Sequence, residues 1–126
     1  MSISTHAKSN YSFSKTERLN SKTKIEELFK RGSSFRLEKL QIILLTQQLA
    51  QGRQVLISVP KKIHKTAVSR NRIKRIIREI YRKNKENINA IDKGYLMAII
   101  YFGTIIPNYN DLEGQLINLF KRLNIY

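Results

Sequence analysis

The run Tyr95 to Phe102, YLMAIIYF, is eight consecutive apolar residues, and it narrows the possible folds more than any other stretch. A strand that is apolar at every position, not at alternate ones, needs cover on both faces. Eight residues fall far short of the roughly 18 to 20 that span a bilayer, so the cover has to be protein. The run therefore belongs at or near the centre of a sheet. Further strands are at hand in LQIILLT (40–46) and VLISV (55–59), aliphatic and β-branched, with Gly52 in the turn between them. A shorter strand is predicted around Ser34 to Leu37. Pro60 has no N–H for a ladder, so it ends the second of these strands and delivers Lys61 and Lys62 at its mouth.

Three stretches carry a helical period instead. The first has Ser21 as N-cap, Ile25, Leu28 and Phe29 on one face, and Gly32 as terminator. The second runs from Thr66 or Ser69 to Lys85, with Ile73, Ile76, Ile77, Ile80 and Tyr81 at the spacing of one buried stripe. The third starts at a capping-box-like pair, Asn110 and Glu113, and presents Leu112, Leu116, Leu119, Phe120 and Leu123. The predicted order is α-β-β-β-α-β-α, an α+β sandwich. The strand, helix, strand unit from Val55 to Phe102 invites a parallel pairing, for which a right-handed crossover is the default. A length of 126 residues suits one core. Residues 1–17, rich in Ser, Thr, Asn and Lys, read as a flexible tail, in which Tyr11 and Phe13 either pack beside the domain or stack on bases. Residues 18–126 read as a single RNA-binding domain.

That assignment rests on charge. Lys61 to Lys85 holds eleven Lys or Arg against one acid, Glu79, and so carries +10 of the chain's +15. Around the second helix the apolar set spans roughly 140°, and Asn71, Lys74, Arg75, Arg78 and Arg82 gather on the opposite side. Solvated helix faces usually alternate Lys with Glu at i, i+4; here only Glu79 and Lys83 have that spacing. Cations crowded without counter-charge repel one another unless a polyanion neutralises them, and a phosphate backbone is the natural one. A membrane surface fits less well, because the apolar side is Ile-rich, has no Trp or Phe to insert, and is committed to the core. The pI near 10.3 agrees with nucleic acid as partner.

Catalytic chemistry is sparse. There is no Cys, which removes thiolate and disulfide chemistry and suits a cytoplasmic protein. The N-terminus has no apolar core of a secretory signal. Asp92 and Asp111 fall in loop or cap positions, His6 and His64 lie far apart, and the five glycines never cluster, so neither a metal site nor a phosphate loop is predicted. His64, set among lysines, is expected to be exposed or to face RNA rather than to act as a base. Glu26 and Glu27 diverge by about 100° around their helix and make a poor acid/base pair. The sequence reads as a binder with no catalytic residues of its own.

Ser69-Arg70-Asn71-Arg72-Ile73-Lys74-Arg75-Ile76-Ile77-Arg78-Glu79 closely resembles the Arg-Asn-Arg signature of the bacterial ribonuclease P protein component. The likeness extends to Arg18-Leu19, to Leu28-Phe29-Lys30-Arg31-Gly32, to Ser58-Val59-Pro60-Lys61-Lys62 and to Leu116 to Leu123. It implies one mostly antiparallel four-stranded sheet with helices packed on it and an unusual left-handed βαβ crossover. It also implies a ribonucleoprotein that removes the 5′ leader of precursor tRNA, with catalysis and most Mg²⁺ held by the RNA subunit. By resemblance, Lys61, Lys62, Arg70, Asn71, Arg72, Lys74, Arg75 and Arg78 would bind the catalytic RNA. Ile25, Phe29, Lys62 and Lys65 would bind the leader, with no membrane and no further protein partner required. Four departures stand out: Ile25 sits where the family usually has an aromatic, Pro60 replaces a usual Ser or Lys, the loop Lys62 to Ala67 is one residue longer and lacks its Gly, and Tyr101 and Phe102 occupy the region where basic residues are frequent. A ribosomal or RNA-chaperone protein shares the charge but needs no cleft for a single strand. A helix-turn-helix lacks its short preceding helix here, and a self-sufficient nuclease lacks an active site.

Overall fold

Ser21 and Gly32 bracket the first helix, α1 (Lys22–Arg31), in a computed structural model that describes residues 17–47, 52–88 and 94–123. The Ser21 hydroxyl accepts from Lys24 N–H at 3.4 Å, and Gly32 N–H donates to Leu28 O at 2.8 Å. Gly32 has an ordinary extended φ of −74°, so its value is space and not left-handed freedom. A Cβ there would lie 2.6 Å from Leu28 O and 2.8 Å from Ile43 Cγ2. The tail reading of residues 1–17, with Tyr11 and Phe13, falls outside the described residues except for Glu17.

The chain continues through β1 (Ser33–Leu37), β2 (Leu40–Gln47), β3 (Arg53–Ser58), α2 (Ala67–Asn84), a 3₁₀ turn (Lys85–Asn87), β4 (Gly94–Tyr101) and α3 (Tyr109–Arg122). The strands form one sheet in the order β1-β2-β4-β3. β1–β2 and β2–β4 are antiparallel, while β3–β4 is parallel with α2 in the connection. β4 thus lies between β2 and β3, and all eight of its residues are buried, as its unbroken apolarity requires.

Successive strand residues point to opposite faces, and β4 divides the core accordingly. Tyr95, Met97, Ile99 and Tyr101 join Ile73, Ile77, Ile80 and Tyr81 of α2 and Leu112, Leu116, Leu119 and Phe120 of α3. Leu96, Ala98 and Ile100 join Leu19, Leu28 and Ile43 on the α1 side. The result is three layers, with α1 on one face of the sheet and α2 and α3 on the other. Ile76, at the margin of the predicted stripe, is only partly buried.

Two details differ from the sequence reading. The cap of α3 is Asn108, whose Oδ1 accepts from Asn110 N–H at 2.9 Å and Asp111 N–H at 3.3 Å. Glu113, expected to complete a capping box with Asn110, instead accepts from Asn84 Nδ2 at 2.9 Å and ties α3 to α2. The expected pairing of Glu79 with Lys83 is present at 4.0 Å, and Glu79 makes a closer ion pair with Arg82 that the sequence reading did not include. The hydrogen bond from Arg82 is the main cause holding the Glu79 carboxyl below its ordinary value, and it raises Arg82 in turn.

The ends of the core are fastened by polar contacts. The Tyr81 and Tyr95 hydroxyls meet at 2.6 Å, Arg53 donates to the carbonyls of Lys85 and Ile88, each at 3.1 Å, and Lys85 Nζ pairs with Glu17 at 3.0 Å. Burial, helped by the neighbouring phenol, pushes the Tyr81 hydroxyl well above the ordinary tyrosine range. Both phenols therefore stay neutral and share one hydrogen bond at physiological pH. Leu19 N–H donates to Val55 O at 3.0 Å, covering part of the β3 edge.

Candidate nucleic-acid interface

Pro60 breaks β3 and turns the chain, its carbonyl accepting from Ile63 N–H at 3.1 Å and His64 N–H at 3.2 Å. Lys61, Lys62 and Lys65 are exposed in the resulting loop, and α2 starts behind Thr66, whose hydroxyl accepts from Ser69 N–H at 3.2 Å. His64 is not exposed, contrary to the sequence reading: it is 6% accessible. Its Nε2 lies 2.8 Å from Gly103 O and its Nδ1 2.8 Å from Ser69 Oγ. A carbonyl can only accept, so Nε2 carries the proton and, in the neutral ring, Nδ1 accepts from Ser69. The imidazole thereby clamps the exit of β4 to the first turn of α2. His64 O in turn accepts from Arg70 Nη1 at 2.8 Å. Of the predicted RNA contacts, Arg70 therefore has one guanidinium nitrogen committed to the fold.

The remaining cations divide over two flanks of α2. Asn71, Arg72 and Arg75 are exposed and surround a shallow concavity with Val68, which is itself 78% exposed. Lys74 and Arg78 are half-buried and line a groove of about 220 Å³ with Arg18, Asn20 and the β3 edge. Burial first, and then repulsion from Arg18 and Arg75, lowers the Arg78 guanidinium from its ordinary value. Repulsion of this kind is relieved by an anion. Since Glu79 neutralises Arg82, the stretch of α2 in which no cation has a carboxylate partner among the described residues is its N-terminal part, from Arg70 to Arg75.

The predicted leader residues lie on other elements. Leu28 is the residue of α1 that is fully buried, while Ile25 packs partly against the same cluster and Phe29 is 50% exposed. Phe29 is therefore not a core residue, which periodicity alone would have favoured. Sequence reasoning missed His64 as a clamp and Arg36 as a partner of Phe102; in both cases the contact joins residues far apart in the chain. Among the described residues no group of three or more His, Cys, Asp or Glu could hold a metal ion, and no helix is long and apolar enough to cross a membrane.

An α+β domain with an exposed arginine-rich helix face is of the class that binds nucleic acid. The family described as Ribonuclease P matches residues 13–124. The ribonuclease P protein component of Porphyromonas gingivalis is 33% identical over 109 residues, 82% of this chain and 80% of its own. That of Clostridioides difficile is 33% identical over 114 residues, 90% and 96% of the two chains. The solved RNase P protein from Thermotoga maritima has a TM-score of 0.70 at 28% identity, covering 84% of this chain and 96% of its own. A Staphylococcus aureus RNase P protein mutant, at 20% identity, shares the fold over 100% of both chains with a TM-score of 0.77. This chain belongs to the ribonuclease P protein component family. Membership places it in tRNA processing, as the protein part of an endoribonuclease with an RNA subunit.

Proposed function

We propose that this chain binds the catalytic RNA of ribonuclease P through α2 and the loop before it, holds the 5′ leader of precursor tRNA beside α1, and so promotes leader removal in the cytoplasm. The observation that carries the first part is the cationic face from Arg70 to Arg75, which among the described residues has no carboxylate partner and is matched by a phosphate backbone. Asn71, Arg72 and Arg75 are the exposed contacts, Lys74 and Arg78 the flank toward β3, and Lys61 and Lys62 extend the surface beyond Pro60. Arg70 contributes its remaining donors. The half-exposed ring of Phe29, one turn from Ile25 on α1, supports the second part, and by the family resemblance Lys62 and Lys65 would add charge to the leader path.

By the family resemblance, Mg²⁺ would be held mainly by the RNA subunit. When bound there it activates water for attack on the phosphodiester, leaving a 5′-phosphate on the tRNA. The protein's task is to bind and position. Aromatic stacking suits that task, because it tolerates any base and is worth about 1 to 3 kcal/mol per base. The test is the affinity of Phe29→Leu holoenzyme for precursor tRNA with leaders of one and of several nucleotides. Loss confined to the longer leader is the expected result. Equal loss on both would remove Phe29 from the leader path, and affinity indifferent to leader length even in the unaltered protein would favour a general RNA chaperone.

A further inference from the structure

Strand register sets four residues in one row across the α1 face of the sheet. Arg36 stands opposite Gln41, Gln41 opposite Ile100, and Ile100 beside Ser58. Paired residues share a face, and this is the face of Ile43 and Ala98, toward α1. Just past the row Phe102 leaves β4, its N–H donating to Lys39 O at 2.8 Å. Its ring packs on the same apolar cluster as Ile25, and Arg36 Cζ lies 4.5 Å from the ring centroid. Arg36 is exposed, and among the described residues no carboxylate pairs with it.

A guanidinium resting on an aromatic ring has one side covered and the other open. Its open side is planar, cationic and weakly hydrated, which is the surface on which an unpaired nucleobase stacks. The row spans three strand spacings, about 14 Å, and ends at Ser58, two residues before Pro60 and the exposed Lys61 and Lys62. A single strand laid along it would meet a stacking platform at one end and phosphate-binding charge at the other. We propose that Arg36, stacked on Phe102, forms a base-stacking site for an unpaired nucleotide of the precursor tRNA leader. The site supplies from the sheet the platform that Ile25 cannot supply from α1. This inference rests on the reading that the leader lies on the α1 side.

The test is the binding of reconstituted holoenzyme to precursor tRNAs with leaders of one and of several nucleotides, comparing Arg36→Lys and Phe102→Leu with the unaltered chain. Arg36→Lys keeps the charge and removes the plane. Both variants should lose about 5-fold or more in affinity for the longer leader, with unchanged affinity for the one-nucleotide leader. A 2-aminopurine in the longer leader, quenched on the unaltered protein, should brighten on Arg36→Lys. Full retention of leader-length dependence and quenching in both variants would overturn this site alone. Affinity that ignores leader length in the unaltered chain would overturn the reading beneath it and the site with it.

Discussion

Ile77 has no exposed surface between α2 and the sheet, so truncation leaves a cavity that neighbours on two layers cannot both close. Ile77→Ala should cost about 2 to 5 kcal/mol in urea denaturation, and Ile77→Lys more, because a buried ammonium would have no partner. An unchanged melting temperature for Ile77→Lys would mean the stripe faces elsewhere. Glu38 shows the opposite case. It turns the β1–β2 hairpin at φ 57°, a left-handed conformation that costs an L side chain about 1 to 2 kcal/mol. Glu38→Gly should therefore raise stability slightly, and a clear loss by the same assay would contradict that account. Burial of Ile77 was legible from spacing alone. The burial of His64 was not, since its partner Gly103 lies 39 positions away and a periodic pattern carries no such information. His64→Ala should expose that gap, leaving Gly103 O and Ser69 Oγ without their partner at a cost of about 1 to 3 kcal/mol.

On the scale of the element, α2 joins a stability face to a binding face, and the two should separate by mutation. Arg72→Ala with Arg75→Ala removes two exposed cations outside the buried stripe of α2. Melting should be unaffected, while the log-log salt dependence of catalytic-RNA affinity should flatten by about 0.7 to 0.9 for each phosphate that is no longer neutralised. An unchanged slope would place these side chains away from RNA. Arg70 is a poorer probe, because its bond to His64 O mixes folding with binding. The limits of α2 were readable to within a residue or two: a start at Thr66 or Ser69 and an end at Lys85 were expected, and the helix runs Ala67–Asn84 behind Thr66 as cap. The start of α3 was misplaced by two residues for a definite reason. Asn108 and Asn110 are both competent caps, and the choice falls to Asn108 because Glu113 is drawn to Asn84 on the neighbouring helix.

Across the whole molecule, the apolarity of β4 located the centre of the sheet, and the α-β-β-β-α-β-α order was contained in the alternation of periods. The strand order β1-β2-β4-β3 was not. It depends on β4 entering between β2 and β3, a choice made by facing side chains and not by local pattern. Among the described residues, exposed cations on α2, the half-exposed ring of Phe29 and the Arg36 guanidinium over Phe102 all lie at the surface. The proposed function has this chain binding and positioning RNA for a catalyst that is itself RNA. Its most direct measurement is precursor tRNA cleavage by a bacterial ribonuclease P RNA, by this protein, and by the two together. The account predicts 5′-leader release by the mixture faster than by the RNA alone, and none by the protein. Cleavage by the protein without RNA, or a mixture no faster than the RNA alone, would contradict it.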